Sequence, residues 1–335
     1  MLDFLRDYPY NFRNFEKNIT KYCKTPNASV NQIITHIFEA QGKKIRPLAF
    51  TLISDLIEYK DEEFRDSISA VCEYIHTASL LHDDVIDNSK LRRNQKTVNS
   101  IWGDETAILS GDLIYSTACR LMVKTQNLDL IDAFAECIRY MSESELFQLE
   151  CLRKLSTLEK DYFQIIDGKT ACLLGASAKS PGILKKIPKE DILLLEDFGK
   201  NLGFAFQIKD DCLDYEGSLE KLGKPVLSDL IEGKLTLPVI LCLQSKDKQL
   251  SSDLKKRVET IFERGSAKDE DYTQILSLLS KDGALEKALE YSLDYIDKAK
   301  SALFRIYKKY SKSHDHDKAY EALLKLCDFI IRREK

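Results

Sequence analysis

The sequence lacks any apolar run long enough to cross a bilayer. Its first residues, MLDFLRDYPYNF, place charged side chains where a signal peptide needs a continuous apolar stretch. The nine cysteines are scattered, with no CxxC pair and no Cys/His cluster at zinc-ligand spacing. We therefore expect a reducing, cytoplasmic setting, and we expect neither a membrane-spanning protein, a disulfide scaffold nor a zinc module.

An excess of one sign of charge is also missing. The 50 basic and 54 acidic side chains give a net charge of -4, so no global field recruits nucleic acid or an anionic membrane. The 44% of hydrophobic residues and 31% of charged residues are typical of a soluble globular protein. Any site for an anion must therefore be built locally.

Glycine and proline are scarce, at 13 and 7 residues. Apolar residues recur every three to four positions, most clearly from Ile68 to His82, which is typical of a buried helix face. No flexible linker or internal repeat divides the chain. We predict an all-α fold, with a single domain over residues 1–335 built as an antiparallel helical bundle. Further helical patterns cover approximately residues 104–124, 128–151, 157–178, 189–216, 233–246, 250–266, 282–310 and 315–333.

Two aspartate-rich pentads are the strongest chemical feature: DDVID at Asp83–Asp87 and DDCLD at Asp210–Asp214. Each ends a helical pattern, and residues four apart share a helix face, so the first and last aspartates of each pentad point the same way. Like charges at this spacing repel one another, and a bound cation removes the conflict. All-oxygen ligands select Mg²⁺ or Mn²⁺, which share their coordination shell with substrate phosphates. A single acidic pentad is as often a hydrated helix end, but two matching pentads favour a diphosphate or triphosphate site.

Basic residues suited to phosphate oxygens accompany the pentads. The segment GKKIRP at Gly42–Pro47 opens a helix, and Arg92 and Arg93 begin five residues after the first pentad. Taken alone, each segment reads equally well as a hydrated surface stretch, so its meaning depends on the pentads. Three further candidate phosphate ligands are Lys169, Lys224 and Lys234.

Several ordered motifs together resemble the trans-isoprenyl diphosphate synthases, or polyprenyl synthetases, and the resemblance runs nearly end to end. QGKKIRP resembles the family's GGKRxRP, and HTASLLHDDVIDNSKLRR resembles its first aspartate-rich motif with the paired arginines. GFAFQIKDDCLDYEG and LGKPVLSDLIEGKLTLP resemble its second aspartate-rich region. The chain departs from the family pattern at Gln41, Lys44, Asn94–Lys96 and Ser144, none of which is an expected metal ligand.

The resemblance implies a bundle with a central cavity, a homodimer, and the condensation of isopentenyl diphosphate with an allylic diphosphate. It also implies Mg²⁺, with three ions per active site and Mn²⁺ as a substitute, and transient membrane contact for product release. The implied metal ligands are Asp83, Asp84, Asp87, Asp210 and Asp214, with Asp211 in support. The implied ligands of the allylic diphosphate are Arg92, Lys169, Lys224 and Lys234. Those of isopentenyl diphosphate are Lys43, Arg46, His76 and Arg93, while Thr170 and Gln207 line the reacting carbons. Without the motif, His76 reads equally well as a core histidine.

Product length in such a site depends on the residues four and five positions before the first pentad, which face down the bundle interior. Here these are Ser79 and Ala78. Short-chain members often carry a bulky aromatic residue there, whereas two small residues leave room for a growing apolar chain. We therefore predict a product of more than four isoprene units, of the octaprenyl type. Tyr74, one turn deeper, or Phe134 would form the floor, unless both are ordinary core residues.

Four alternatives stay open at this point. The chain is a short-chain farnesyl or geranylgeranyl diphosphate synthase if its tunnel is closed. A class I terpene cyclase or head-to-head condensing enzyme shares the metal-binding pentads, but cyclases lack the GKKIRP-type site. An HD-type phosphohydrolase would use His82 and Asp83, yet needs further histidines that the second pentad does not supply. A non-catalytic partner subunit is disfavoured by the intact pentads.

Overall fold

The computed structural model describes residues 15, 19–39, 42–93, 95–216 and 227–333. These residues are almost entirely helical, which confirms the predicted all-α fold. Within these ranges, no helix combines the length and hydrophobicity needed to cross a membrane. Gln41, Asn94, Lys224 and Lys335 lie outside the described residues.

Most of the chain is divided among helices joined by short connections. The first part contains a 3₁₀ turn (Lys21–Cys23), α1 (Ala28–Glu39), α2 (Ile45–Leu56), α3 (Glu62–Ile86), β1 (Leu91–Arg92), β2 (Gln95–Lys96), α4 (Val98–Trp102), α5 (Asp104–Lys124) and α6 (Leu128–Cys151). It continues with α7 (Glu159–Ile166), a π-helical turn (Asp167–Ala171), α8 (Cys172–Lys185) and α9 (Lys189–Glu216). The remainder contains α10 (Ser228–Glu232), α11 (Leu237–Leu243), α12 (Lys248–Arg264), α13 (Asp269–Asp282), α14 (Ala284–Tyr310) and α15 (His314–Arg332).

The described residues form two compact units. Unit 1 takes its residues from 1–138, 176–196 and 303–325, and unit 2 from 139–175, 197–302 and 326–335. The single domain over 1–335 stays a prediction.

In unit 1, α2 is apolar on nearly every side, and ten of its twelve residues are buried, as expected of a helix enclosed by others. Helix α3 follows α2 in the sequence and is capped by Asp61, whose carboxylate accepts the N–H of Phe64 at 3.2 Å. Helix α5 packs closely on α3 because Gly111 has no side chain. A Cβ at Gly111 would lie 2.3 Å from His82 Nε2, a distance that real Cβ atoms essentially never show.

In unit 2, the apolar face of α9 packs on α10 to α13 through residues such as Cys212, Tyr215 and Leu230, all fully buried. The short helices start and stop at recognisable caps. Asp247 accepts the N–H groups of the first turn of α12, and glycines at positive φ end α12 and α13.

A two-stranded antiparallel hairpin interrupts the helices after the first aspartate-rich motif. Leu91 pairs with Lys96, and Arg92 pairs with Gln95. The sequence did not predict this hairpin. Two residues per strand are too few for a period-two pattern to be visible.

Candidate active site

The first aspartate-rich motif lies at the C-terminal end of α3. Asp83 and Asp84 are in its last turn, and Asp87 caps the helix, its N–H donating to the Asp83 carbonyl at 2.8 Å. Asp84 is buried, whereas Asp83 and Asp87 are half-buried. Because a helix C-terminus disfavours anions, this cluster requires positive charge nearby.

Arg92 on β1 supplies that charge to Asp84. Its Nε and Nη2 each lie 2.8 Å from Asp84 Oδ1, and Asn99 donates to the Asp84 backbone carbonyl at 3.1 Å. Arg92 was expected to neutralise the allylic diphosphate. In the structure its guanidinium holds the carboxylate of Asp84, so the residue links the motif to the hairpin.

Cationic side chains surround His76, which lies on α3 about two helical turns before the first aspartate-rich motif. Burial, followed by the positive charges of Arg46 and Arg93, holds the pKa of His76 well below its usual value of 6.5. The imidazole is therefore neutral at pH 7. The structure thus brings together three of the four expected isopentenyl diphosphate ligands, while Lys43 is half-buried in the loop that leads into α2.

Gly42 makes room for the guanidinium of Arg93. A Cβ at this glycine would lie 2.2 Å from Arg93 Nη1, so the bare backbone lets the guanidinium lie directly against the GKKIRP segment. Next along that segment, Lys44 has a left-handed backbone (φ 49°) and forms a buried ion pair with Glu73 at 2.8 Å. Gly42 and the guanidinium of Arg93 therefore occupy one small volume.

A cavity of about 60 Å³ opens between these groups. Four cationic side chains line it, together with two acidic ones that are already paired with Lys44 and Arg92. These residues are Lys44, Arg92, Arg93, Lys96, Glu73 and Asp84. The walls favour a small anion because positive charge exceeds the negative charge there.

In unit 2, a π-helical turn carries Lys169 and Thr170. Gly168 allows this turn to touch α6, since a Cβ there would lie 1.8 Å from Ser144 Oγ. Gly203 on α9 similarly approaches the backbone of Ala171, where an added Cβ would meet Cα at 2.5 Å. A π turn inside a helix often marks a functional site, and here it orients Lys169 and Thr170. The predicted helix over 157–178 is therefore wrong in detail: α7 ends at Ile166, and α8 runs on to Lys185.

A chain of hydrogen bonds runs from the π turn to the second aspartate-rich motif. Thr170 Oγ1 donates to Gln207 Oε1 at 2.7 Å, and Gln207 Nε2 donates to Asp211 Oδ1 at 2.8 Å. The Tyr162 hydroxyl donates to the other Asp211 oxygen at 2.6 Å. Both ends of the Gln207 amide and both oxygens of Asp211 thus have fixed partners.

The three acids of the second motif have different surroundings. Asp211 is buried, and this burial raises its pKa to about 7 despite the bonds from Tyr162 and Gln207. Asp214 accepts the backbone N–H and hydroxyl of Ser228 at 3.3 and 3.1 Å, and so caps α10. Asp210 is the most accessible, with its side chain 53% exposed. The supporting role expected of Asp211 stays a prediction.

Arg333 near the C-terminus pairs with Asp210. Its Nη1 lies 3.0 Å from Asp210 Oδ1, its Nη2 donates to the Phe206 carbonyl at 2.6 Å, and its guanidinium lies 3.9 Å from the Phe206 ring centroid. The Arg333 side chain is only 1% exposed. The C-terminal basic residues could not be assigned from the sequence, and Arg333 is part of the second motif's surroundings.

A second cavity, of about 100 Å³, brings Lys169, Gln207 and Lys234 together with Asp211. Lys169 forms an ion pair with Glu145 at 3.3 Å, and Lys234 forms one with Glu232 at 2.6 Å. Both lysines are therefore held in place near the cavity while their charge is only partly offset. Lys224, the remaining expected lysine, is outside the described residues.

The residues expected to set product length lie on two helices of unit 1. Ala78 is fully buried, and the Ser79 hydroxyl turns back to donate to the His76 carbonyl at 2.8 Å. Tyr74 is also fully buried, but its hydroxyl donates to the Ile19 carbonyl and its ring contacts Phe38. These contacts give Tyr74 a packing role. Phe134 on α6 is fully buried as well.

Among the described residues, no three acidic, histidine or cysteine side chains are gathered closely enough to hold a metal ion by themselves. The donor chemistry nevertheless fits Mg²⁺, since both motifs offer carboxylate oxygens and neither includes a histidine. Mg²⁺ is commonly held by one or two carboxylates together with substrate phosphates and water. The candidate ligands would be Asp83, Asp84, Asp87, Asp210 and Asp214.

Several residues of these sites were not identified from the sequence: Glu73, Glu145, Tyr162 and Asp229. Each lies far in sequence from the group it contacts or within a segment singled out for other residues. Asp229 follows Ser228 in the segment that resembles the family motif, and burial followed by the charge of Asp214 holds its pKa well above the usual aspartate value. The matching segment could have pointed to Asp229, whereas the others required the fold.

Comparison with known proteins gives a consistent family. The polyprenyl synthetase model matches residues 27–279. An octaprenyl diphosphate synthase of Escherichia coli K12 is 34% identical over 274 residues, covering 82% of this chain and 83% of that protein. A short chain isoprenyl diphosphate synthase of Methanothermobacter thermautotrophicus is 33% identical over 304 residues, covering 89% of each chain.

A solved structure supports the same assignment. The polyprenyl synthase from Caulobacter crescentus CB15, complexed with calcium and isoprenyl diphosphate, matches with a TM-score of 0.86 and 32% identity. The match covers 99% of this chain and 97% of that one. Both the fold and the ordered motifs are accounted for by one family, which depends on a divalent metal and uses isopentenyl and allylic diphosphates. The chain belongs to the polyprenyl synthetase family and is a prenyltransferase.

Proposed function

We propose that this prenyltransferase joins isopentenyl diphosphate to an allylic diphosphate in a Mg²⁺-dependent reaction and extends the product beyond four isoprene units, to the octaprenyl class. The observation that carries the proposal is the pairing of each aspartate-rich motif with its own phosphate-binding cations. Arg46 and Arg93, which lie near the neutral His76, accompany the first motif, and Lys169 and Lys234 accompany the second.

Isopentenyl diphosphate would be held in unit 1. Lys43, Arg46 and Arg93 supply positive charge, and the neutral His76 can donate a hydrogen bond without adding a further charge. The carboxylates of the two motifs would hold the Mg²⁺ ions, three per active site. When bound, Mg²⁺ stabilises the charge that develops on the departing diphosphate.

The allylic diphosphate would be neutralised by four basic residues: Arg92, Lys169, Lys224 and Lys234. Its departure leaves an allylic cation, which the alkene of isopentenyl diphosphate attacks. Thr170 and Gln207 present hydroxyl and amide oxygens from the π turn and α9, and their fixed hydrogen bond orients these dipoles before reaction. The proton lost in the last step would pass to the released diphosphate.

Product length is argued from Ala78 and Ser79. Neither position projects a bulky group, and the Ser79 hydroxyl is turned back onto its own helix. The similarity to an octaprenyl diphosphate synthase favours a long product, but the similarity to a short chain isoprenyl diphosphate synthase supports a second candidate of four units or fewer.

The deciding experiment uses the purified full chain with Mg²⁺, labelled isopentenyl diphosphate and farnesyl diphosphate, followed by chromatography of the dephosphorylated products. Products longer than four units support the proposal. Products of three or four units keep the reaction and select the short-chain candidate. No incorporation with any allylic primer contradicts the condensation itself.

Ala78→Phe is expected to shorten the product to four units or fewer, because the phenyl ring would fill the space behind the first motif. Ser79→Ala is the matched control, since it changes the neighbouring position without adding bulk. An unchanged product distribution for Ala78→Phe would show that the growing chain follows another path.

The proposal includes a homodimer. Helix α5 exposes three apolar side chains, with Ile108, Leu109 and Val123 exposed by 42%, 66% and 60%. Leu109→Glu is expected to convert a dimer into a 38.4-kDa monomer in light scattering, whereas Leu293→Glu, at an exposed position on α14, leaves the mass unchanged. A wild-type monomer would refute the dimer.

A further inference from the structure

The hairpin that carries the paired arginines is fastened to α1 by a single histidine. His36 Nε2 lies 2.9 Å from the Lys96 carbonyl, and its Nδ1 lies 3.1 Å from Gln95 Nε2. Gln95 Nε2 also donates to the His36 carbonyl at 3.3 Å. On the other side, the His36 ring meets Trp102 edge-on, with ring centroids 5.1 Å apart.

We propose that His36, Gln95 and Trp102 form a clamp that positions the hairpin and, through it, Arg93 for isopentenyl diphosphate. His36 and Gln95 also line the 60 Å³ cavity, and we assign them to positioning because their hydrogen bonds join α1 to the hairpin. The inference rests on the proposed function, which assigns Arg93 to the diphosphate of that substrate.

The hydrogen-bond partners of His36 fix which of its ring nitrogens carries the proton. A carbonyl accepts only from an N–H, so Nε2 carries the proton and donates to Lys96. The remaining lone pair, on Nδ1, accepts from the Gln95 amide. This tautomer makes both bonds at once, and the two bonds join α1 to the second strand of the hairpin.

The hairpin depends on such external contacts. A two-stranded hairpin is marginal by itself, and this one has two residues per strand. Arg92 ties its first strand to Asp84, and the Thr97 hydroxyl donates to the Ser89 carbonyl at 2.7 Å. The clamp is the corresponding fastening of the second strand.

Arg93 is sensitive to the hairpin's geometry. It adopts a positive φ of 53°, a conformation that costs free energy for a residue other than glycine. Its guanidinium lies against the bare Cα of Gly42, in a space that admits no Cβ. A hairpin released from α1 would let Arg93 relax to negative φ and withdraw its guanidinium from Gly42.

The chain contains a single tryptophan, Trp102, which is part of the clamp and therefore serves as a local fluorescent probe. The experiment titrates the full-length protein with isopentenyl diphosphate while following this fluorescence, and measures KM and kcat in parallel. Gln95→Ala removes the bonds from the amide. His36→Phe keeps a ring against Trp102 but removes both bonds of the imidazole. Gln32→Ala, an exposed glutamine on the same helix, is the matched control.

Each clamp variant is expected to weaken the dissociation constant and raise KM for isopentenyl diphosphate about 3- to 10-fold, the effect of losing one or two neutral hydrogen bonds. kcat at saturation and KM for the allylic substrate should stay within about twofold, because the groups at the reacting carbons are unchanged. Gln32→Ala should match the wild type.

Unchanged KM and dissociation constant in Gln95→Ala would overturn the clamp, and this variant decides the matter if His36→Phe does not fold. A fall in kcat together with equal rises in KM for both substrates would also overturn the clamp, since these changes would indicate a general structural effect. The proposed function fails separately, if the wild type itself neither binds nor incorporates isopentenyl diphosphate.

Discussion

In the first aspartate-rich motif, the buried Asp84 is paired with a guanidinium from eight residues further along the chain. In the second motif, the corresponding Asp211 is buried among uncharged donors, and the guanidinium of Arg333 comes from the C-terminus to pair instead with the exposed Asp210. The two pentads share one sequence pattern, yet their charges are offset at different members and over very different chain distances.

This difference has an energetic meaning. A buried carboxylate next to a guanidinium stays ionised, because the ion pair offsets the cost of burial. A buried carboxylate that has only neutral donors is easier to protonate, as the raised pKa of Asp211 shows. The first motif therefore holds its charge locally, whereas the second depends on the correct packing of the C-terminal residues.

The largest expected effect separates the two buried aspartates. Asp84→Asn should lower the free energy of unfolding by about 2 kcal/mol, because it leaves the Arg92 guanidinium without its carboxylate. Asp211→Asn should change it by less than about 1 kcal/mol, because the hydrogen-bond donors to this carboxylate, Tyr162 and Gln207, are uncharged. Urea unfolding at pH 7 measures both, and equal losses would contradict the distinction.

A somewhat smaller effect is expected at the C-terminus. Arg333→Met should lower the free energy of unfolding by about 1 to 2 kcal/mol, since the methionine keeps the packing on Phe206 but loses the bonds to Asp210 and the Phe206 carbonyl. Arg332→Met, at the exposed neighbouring arginine, should change it by less than about 0.5 kcal/mol. If the two variants unfold at the same urea concentration, Arg333 does not anchor the second motif.

The smallest effect concerns pH and the first motif's cation cluster. The pKa of His76 is lower in the folded chain than in the unfolded chain. As the pH falls, the imidazole therefore becomes protonated in the unfolded chain before it does so in the folded chain. Stability should therefore be lost below about pH 6.5, by at most about 1.4 kcal/mol per pH unit. His76→Gln should flatten this part of the stability curve between pH 7.5 and 5.5. A parallel curve for wild type and variant would show that His76 does not titrate in this way.

Much of the helical framework could be predicted from the sequence. The patterns at 104–124, 128–151 and 189–216 coincide with α5, α6 and α9, because long amphipathic stretches between clear ends leave little freedom. Helices α1 and α13, of 12 and 14 residues, were not predicted, because a helix of three to four turns shows only a short apolar pattern. The interruption by the π turn was also missed, because it depends on Gly168 meeting Ser144.

The candidate site also has one part that the sequence could predict and another that it could not. The pentads and most candidate phosphate-binding residues could be identified because they form contiguous motifs. Glu145, Tyr162 and Arg333 could not, because nothing in their own neighbourhood indicates that they contact Lys169, Asp211 and Asp210. Tyr74 stays a candidate for the tunnel floor, and its contacts with Ile19 and Phe38 also fit the core-packing alternative that the sequence left open.

The π turn at Asp167–Ala171 has an evolutionary consequence. A π turn contains one residue more than the α-helical turn it replaces, so deleting one residue there would let the helix close as a regular α-helix and would remove the bulge. The lysine and threonine of the turn, and the closely packed Ala171, would all move out of register together. A point substitution in α7 or α8 changes one side chain. A single-residue deletion between these helices instead displaces the side chains of the turn together, and no point substitution can reverse it.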